Sequence, residues 1–403
     1  MNILLINHYA GNPELGMEFR PYYMAQEWQK LGHQVFIIGA SFSHLRKKQP
    51  NRGFEVVNGI KYYWIPVNRY EGNGIGRIRS MFVFVSELYF YYKCYLHDFK
   101  PDIVIASSTY PLDIYPAYNI AKKYNARLVF EIHDLWPLSP MEIGGYSKYH
   151  PFIMMMQAAE NFAYQHCDKC ISILPCVQEH VAMHGLKLEK LGIVPNGFFE
   201  GEWKQKIELD EPYKSFFYQL KSEKKKILGY IGGHAMSNAL DLLIDAMSLI
   251  KDQSIVAVLV GKGSEKERLK KLVVEKKLAN VFFVDPIAKN MIPALLSEMD
   301  VLYLGGRNNS LYRFGTSQTK LFDYFQAGKP IIQTISPPNN YVEDSKSGIT
   351  IENNSPQSIA LGIETIMSYS QNERKEMGLR GKQYCNENFN YRKLAQNFIK
   401  YIE

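Results

Sequence analysis

Short apolar runs alternate with amphipathic stretches along most of the chain, and the pattern is played out twice. In the first half NILLIN, QVFIIGAS, KYYWIPV, DIVIASS, RLVFEIH and KCISIL are runs of six to eight residues rich in branched side chains. Runs of that length without strict polar alternation predict strands covered on both faces, the habit of a parallel sheet. Helical periodicity lies between several of them, at 20–31 and 115–124. Strands alternating with helices in this way predict a doubly wound parallel sheet. KLGIVPNGF closes this half, and a polar, Lys- and Glu-rich stretch at 200–226 reads as a linker with some structure of its own.

The alternation restarts at KKILGYIGG. It continues through a helix at 239–250, the strand IVAVLVGKG, a helix at 265–277, the strand VFFVDP, a helix at 290–298, and the strands VLYLGG and KPIIQT. The expected division is therefore a first domain at 1–200 and a second at 201–384, with a last helix at 385–403 crossing back to the first. Two such sheets back to back predict a cleft between their carboxyl ends, where ligands of open α/β sheets bind.

Composition narrows the class. In 403 residues, 46% hydrophobic and 22% charged content is ordinary globular usage. Nothing reaches the roughly 18 to 20 uninterrupted apolar residues of a membrane span, and MNILLIN lacks the basic leader of a signal peptide. Five cysteines, an odd number, fit free thiols in a reducing compartment, so a cytoplasmic protein is expected. The net charge of +7 is mild but unevenly placed. Arg46, Lys47, Lys48, Arg52, Lys61, Arg69, Arg77 and Arg79 face only Glu55 and Glu71 over the same stretch, and the aromatic run MFVFVSELYFYYKCYL follows. Segment 46–96 is then either a solvated loop before a core helix or a surface that docks on the inner face of a membrane. No recognition motif for nucleic acid accompanies it.

The stretch FGTSQTKLFDYFQAGKPII places chemistry at the start of a helix. Lys320 and Asp323 are three residues apart and so share a helix face. Thr316 or Ser317 is suited to cap that helix, whose first free N–H groups make an anion site. Cation, helix end and carboxylate together suit a nucleoside diphosphate, with the lysine on the phosphates and the carboxylate on the ribose diol. The alternative is an exposed helical ion pair between Lys320 and Asp323.

The succession YIGGHAMSNALDLLIDA, VLVGKGSEKERLKKL, VFFVDPI, EMDVLYLGG, TKLFDYFQAGKPII and NNYVEDSKSGITI resembles the donor-binding half of a family 4 glycosyltransferase. In the first half HYAGNPELGMEFRPYYMAQEWQKLGHQVFII, LVFEIHDLWPLSP and GIVPNGF resemble further landmarks of the family, and the DLWP element is similar to bacterial capsule and O-antigen enzymes. The resemblance covers nearly the whole chain. It implies the GT-B fold, an α/β architecture of two Rossmann-like domains whose parallel sheets face a central cleft. It also implies a retaining, metal-independent transfer from a nucleotide sugar, a UDP-sugar foremost, to a lipid-linked saccharide, by an enzyme peripheral on the inner face of the cytoplasmic membrane and without a cofactor.

Residue by residue, the resemblance implies that Asp323 meets the ribose, where the family often has the second of two glutamates. Gly315 stands where the first would be, so contacts to the sugar fall to Arg313 or to the backbone of Gly315, Thr316 and Ser317. An arginine and a lysine that many relatives carry after the first strand of the donor domain are replaced by Gly233 and Asn238. Lys320 is then the main positive charge, with Gly232, Gly233 and His234 lining the close approach and Lys262 a weaker candidate. In the acceptor half, His133 is implied to meet the donor sugar or its phosphate, and Asp134 to orient His133 or the acceptor hydroxyl, unless Asp134 merely caps the next turn. Gly16 is expected to allow close approach over the diphosphate, with Glu18 and Arg20 near the acceptor or paired at the surface.

No D-x-D pair, the usual holder of a divalent ion on a diphosphate, occurs in the chain. No G-x-G-x-x-G opens either sheet, which disfavours a dinucleotide enzyme. Cys167 and Cys170, with Cys176, His180 and His184 beyond, have zinc-like spacing. Cys170 falls inside the apolar run KCISIL, which favours core thiols. The alternatives to a lipid-acceptor transferase are a transferase on a soluble acceptor, a sugar-nucleotide epimerase of the same fold, and a non-catalytic nucleotide-sugar binding protein.

Overall fold

The computed structural model describes residues 1–72, 74–204 and 207–403. The chain divides into two compact units. The first comprises Met1–Asn196, Phe314–Thr316 and Tyr391–Glu403; the second comprises Gly197–Arg313 and Ser317–Asn390.

The first unit holds an eight-stranded sheet in the order β3-β4-β2-β1-β5-β6-β7-β8. Its strands are β1 (Asn2–Ile6), β2 (Gln34–Ala40), β3 (Gly53–Val57), β4 (Ile60–Ile65), β5 (Ile103–Ala106), β6 (Arg127–Ile132), β7 (Lys169–Ser172) and β8 (Leu191–Ile193). All neighbours run parallel except β3, which pairs antiparallel with β4. The apolar runs produce the parallel strands as expected. The edge hairpin is an addition. It turns on Asn58 and Gly59, both at positive φ (48° and 80°), the conformation that a two-residue hairpin loop requires and that Asn-Gly supplies at least cost.

The second unit holds six parallel strands in the order β11-β10-β9-β12-β13-β14. They are β9 (Lys226–Ile231), β10 (Ile255–Val260), β11 (Val281–Val284), β12 (Val301–Leu304), β13 (Ile331–Gln333) and β14 (Gly348–Thr350). Successive side chains of a strand point to opposite faces, and β10 divides its residues accordingly. Val256, Val258 and Val260 join a core with Phe217, Leu321 and Phe325, whereas Ile255, Ala257 and Leu259 join one with Leu243, Ile244 and Ile363. Burial on both faces explains why the run IVAVLV carries no polar alternation.

The helix expected over 385–403 is two helices, Gln371–Asn388 and Tyr391–Ile402, with the chain leaving helical geometry between them. The second is strongly one-sided, burying Leu394, Ala395, Phe398 and Ile402. Within the first unit it lies on the helix Arg20–Lys30, where the Trp28 ring sits 5.0 Å from Phe398 and its Nε1 donates to the Ala395 carbonyl at 3.3 Å. Among the described residues no helix is long and apolar enough to cross a membrane.

Candidate functional site

In the second unit, Gly232 and Gly233 follow β9, and the helix Thr319–Ala327 begins beside them. Lys320 Nζ donates to Asn238 Oδ1 and, at 3.3 Å, to the Tyr230 hydroxyl, and it lies 5.0 Å from the centre of the Tyr230 ring. Tyr230 and Asn238 in turn both donate to the Gly233 carbonyl, at 2.8 and 2.9 Å. Among the described residues every partner of this ammonium is neutral, and burial pushes its pKa down to about 8. A desolvated cation without a counter-ion is costly, so the arrangement favours an anionic ligand. A Cβ on Gly232, whose φ is 153°, would come within 3.0 Å of the Tyr230 hydroxyl and 3.6 Å of Lys320 Nζ. Nothing stands within 4 Å of the place a Cβ on Gly233 would take. The glycine pair therefore keeps the ground beside the ammonium open.

Asp323 shares the helix but not the partners. Its carboxylate takes Lys289 Nζ on both oxygens, at 2.9 and 2.7 Å, and Lys289 lies 3.6 Å from Glu202 Oε2. The reading of Lys320 and Asp323 as an exposed pair with each other is set aside by these contacts. Desolvation works against the Lys289 ammonium, but Asp323 and then Glu202 outweigh it and hold its pKa above the usual value.

Other expectations for this half need correction. The residue that caps Thr319–Ala327 is Gln318, without a side-chain cap bond, in place of Thr316 or Ser317. Thr316 groups with the first unit together with Phe314 and Gly315, and Ser317 groups with the second. Gly315 has φ of 81°, which glycine adopts without strain. Arg313 is exposed and donates to the Ser310 carbonyl at 2.6 Å. His234 does not line the approach with its side chain, which is wholly buried, with neither ring nitrogen hydrogen bonded among the described residues, and burial first, then Lys266 and Lys270, lower its pKa to about 4. Lys262 is exposed and contributes its carbonyl to the His234 N–H at 2.9 Å.

In the first unit, the carboxyl ends of the adjacent strands β1, β5 and β6 gather a polar cluster centred on Glu131. One oxygen of Glu131 meets Arg20 Nε at 3.0 Å and its second terminal nitrogen at 2.9 Å. The other accepts from Ser107 Oγ at 2.6 Å and lies 3.2 Å from His133 Nε2, which is itself 2.9 Å from Ser107 Oγ. Burial alone would raise the Glu131 pKa, but Arg20 foremost, then His133 and Ser107, hold it well below the usual carboxylate range. Glu131, rather than Asp134, therefore orients His133. Asp134 is consumed by its own turn, accepting from Leu135 N at 2.8 Å, Ser139 Oγ at 2.5 Å and Trp136 Nε1 at 3.1 Å.

Arg20 is not at the surface. It is 1% exposed, and besides Glu131 it donates to the carbonyls of Val194 and Pro195 at 2.8 and 2.7 Å. Gly16 does make a close approach, but to this chain: a Cβ there would meet Lys47 N at 3.0 Å and Arg46 Cα at 3.3 Å. Glu18 stays available. Its carboxylate has no hydrogen bond among the described residues, and burial raises its pKa while His133 and Arg20 pull it back. Deeper in the same unit, Asp113 accepts from Ser108 N at 2.9 Å through Oδ2, leaves Oδ1 without a partner, and is pushed up by burial to about 7.

The sequence reading missed Glu131, Ser107, Lys289 and Glu202. For Glu131 a signal exists: a glutamate inside the apolar run RLVFEIH has to be buried with a partner. The zinc-like spacing resolves differently. Cys167 and Cys170 are buried free thiols, both with pKa raised by burial. His180 and His184 do meet a carboxylate, Glu160, with ligand-type atoms within 4.8 Å of one another. That cluster is already joined by hydrogen bonds: His180 Nε2 to Glu160 at 2.9 Å, Tyr164 to Glu160 at 2.9 Å and His184 Nδ1 to Asn161 at 3.1 Å.

The basic segment divides in two. Arg46 and Arg77 turn inward, Arg46 donating to the Ala10 carbonyl at 2.8 Å and lying 4.9 Å over the Trp64 ring, Arg77 bonding the Tyr9 hydroxyl at 3.1 Å. The remaining six bases are exposed. On the long helix Ile75–Leu96, the exposed residues Ile75, Arg79, Phe82, Ser86, Phe90 and Lys93 follow three- and four-residue spacings and so lie on one face.

Comparison with known proteins bears on both units. Residues 16–197 match the family described as Glycosyl transferase 4-like domain, and residues 214–384 match Glycosyl transferases group 1. An uncharacterised glycosyltransferase of Methanocaldococcus jannaschii is 26% identical over 245 residues, 60% of this chain and 59% of the relative. Escherichia coli WcaI, a glycosyl transferase named for colanic acid biosynthesis, is 25% identical over 183 residues, 45% of each chain. The chain thus covers less than two thirds of either relative's length.

Among solved structures, sucrose-phosphate synthase of Thermosynechococcus elongatus superposes with a TM-score of 0.75 at 15% identity, over 99% of this chain and 98% of that one. Anabaena HepE in complex with UDP gives 0.69 at 14%, over 99% of both chains. WaaG, a glycosyltransferase involved in lipopolysaccharide biosynthesis, gives 0.69 at 14%, over 100% and 99%. Two parallel-sheet units with these neighbours define the GT-B fold. With family matches in both units, the chain belongs to glycosyltransferase family 4.

Proposed function

We propose that this protein transfers a sugar from a nucleoside diphosphate sugar, a UDP-sugar, to a lipid-linked saccharide during assembly of a cell-surface polysaccharide. The observation that carries this reading is the Lys320 ammonium, desolvated, bonded among the described residues only to neutral groups and set beside the open Gly232–Gly233 turn. It supplies the positive charge that a leaving diphosphate requires. The nucleotide and the setting are supported by HepE, which binds UDP, and by WcaI and WaaG, named for colanic acid and lipopolysaccharide biosynthesis.

The chemistry we propose is a metal-free transfer with retention. Lys320 and the N–H groups at the start of its helix stabilise the departing diphosphate, and Asp323 accepts hydrogen bonds from the ribose. In the first unit Glu131 and Asp134 are both consumed by hydrogen bonds, which leaves neither free as a covalent nucleophile, and we assign the available Glu18 carboxylate to the acceptor. We therefore favour front-face attack. The bond from the anomeric carbon to the phosphate oxygen breaks, the acceptor oxygen bonds to the same face, and the acceptor proton passes to the departing phosphate oxygen. His133, held by Glu131 and Ser107, serves the transferred sugar, and the free Glu18 carboxylate serves the acceptor. The exposed face of Ile75–Leu96 and the bases around it hold the enzyme on the inner face of the cytoplasmic membrane, where a lipid-linked acceptor resides.

Calorimetry with UDP, GDP, ADP and CMP, without added metal, tests this reading. UDP is expected to bind to the wild type, with binding lost in Lys320→Ala. Absence of binding by every nucleotide, or unchanged binding in the variant, overturns it. Product analysis by NMR tests retention, and an inverted anomeric configuration excludes front-face attack.

A further inference from the structure

Asp323 carries a contact that a ribose ligand alone does not explain: Lys289, 34 residues earlier in the chain, grips both of its carboxylate oxygens. The three side chains involved are largely enclosed, at 18% exposure for Lys289, 13% for Asp323 and 12% for Glu202. This is not a loose surface pair of the kind that contributes little. Lys289 stands in a short helical turn just before the helix Ile292–Ser297, whereas Asp323 is in the second turn of Thr319–Ala327. Two separate elements are thus tied together at the carboxylate.

The electrostatics give the tie a purpose. An aspartate three residues from Lys320 stands close to where a diphosphate would lie, and two like charges in an enclosed setting repel strongly. A bare carboxylate there would weaken the ligand's binding or turn aside. Paired with the Lys289 ammonium, it presents little net charge to the phosphates while its oxygens still accept hydrogen bonds. A carboxylate has about four lone-pair sites. The ammonium approaches one side of both oxygens and leaves acceptor capacity for two hydroxyl donors. Glu202, 3.6 Å from the same ammonium, keeps that cation anchored and protonated.

We propose that Lys289 is a positioning residue of the nucleotide site: it holds the Asp323 carboxylate aimed and offsets its charge, and thereby sets the enzyme's preference for a ribose diol. The inference rests on the donor reading above.

Binding of UDP and of 2′,3′-dideoxy-UDP, measured by calorimetry on wild type, Lys289→Met, Lys289→Arg and Asp323→Asn, tests it. In the wild type UDP is expected to bind about tenfold or more tighter than the dideoxy analogue, since hydrogen bonds to a charged acceptor are stronger than those between neutral groups. Lys289→Met is expected to reduce that ratio to about threefold or less, Lys289→Arg to restore part of it, and Asp323→Asn to abolish it. Merely lowered stability would weaken both ligands alike and leave the ratio unchanged. A wild-type ratio retained in Lys289→Met, while Asp323→Asn loses it, overturns the role of Lys289 and leaves the donor reading intact. Failure of the wild type to bind either nucleotide overturns both. Should Lys289→Met not fold, Lys289→Gln provides the same comparison.

Discussion

Lys320 and Asp323 stand three residues apart on one helix, yet among the described residues they share no partner: the lysine meets only neutral oxygens, and the aspartate is closed on Lys289. The two groups therefore have opposite electrostatic positions. One is a cation in need of an anion, and the other is an anion already neutralised.

The exposed need of Lys320 predicts a separation of stability from binding. Lys320→Met removes a desolvated charge, so the empty variant is expected to melt at or above the wild-type temperature while losing at least about tenfold in UDP affinity. The pH dependence follows from a native pKa of about 8, below the ordinary lysine value. Between about 8 and 10.5 the unfolded chain binds more protons than the native one, so the empty protein gains stability with rising pH in that window. UDP binding goes the other way and weakens as pH rises through about 8, because the ligand requires the charged form. Parallel titrations of melting temperature and Kd check both signs.

Arg20 and Glu131 form a buried pair, and breaking one member of such a pair strands the other. Glu131→Gln is expected to cost about 3 to 5 kcal/mol in urea unfolding, because the Arg20 guanidinium keeps its charge without its counter-ion. Its effect on catalysis is expected to exceed its effect on donor binding, since His133 loses its orienting carboxylate. Because Glu131 is held below the usual range, its stabilisation is complete above the unfolded carboxylate pKa. It is lost as pH falls through the lower native value.

Asp113 predicts the reverse slope. With a native pKa of about 7 against an ordinary value near 4, the folded state binds the extra proton across that window. Its contribution to stability therefore falls as pH rises through it. Asp113→Asn keeps an acceptor for Ser108 N and cannot ionise. It is expected to be more stable than wild type at pH 8, by on the order of 4 kcal/mol, and no more stable at pH 4.5. Equal stability of the two proteins at pH 8 would show that Asp113 is not desolvated.

Much of the fold was legible because burial on both faces leaves a direct mark: IVAVLV and DIVIAS have no room for polar alternation, so their place in parallel sheets could be read off. The β3–β4 hairpin was missed although Asn58-Gly59 is a strong turn signal, because GFEVV is largely exposed and alternates weakly. For the site, residue types were easier to read than partners. Lys320 and Asp323 stood out by spacing, but Lys289 is 34 residues away, and no local pattern reveals a pairing set by tertiary packing. His234 and Arg20 were drawn toward ligands because charge and position along the chain say nothing of which way a side chain turns. His234 is buried, and Arg20 is spent on Glu131 and the carbonyls of 194 and 195.

The helix Ile75–Leu96 makes its case through exposure. Ile75, Phe82 and Phe90 are 84%, 41% and 71% exposed, and they share a face with Arg79 and Lys93. A helix that needed only to cover the core would place polar groups there. Aromatic residues at the acyl boundary with bases at the headgroups instead suit an anionic bilayer, each base contributing about 1 kcal/mol. Phe82→Asp with Phe90→Asp is therefore expected to reduce binding to vesicles containing phosphatidylglycerol by about tenfold or more, with UDP affinity and melting temperature unchanged. Raising the salt is expected to weaken the wild type's vesicle binding in parallel, since exposed charges are screened within about 10 Å at 0.1 M. If flotation shows equal binding for both proteins, or none for the wild type, the helix face serves some other partner and the acceptor has to be sought in solution.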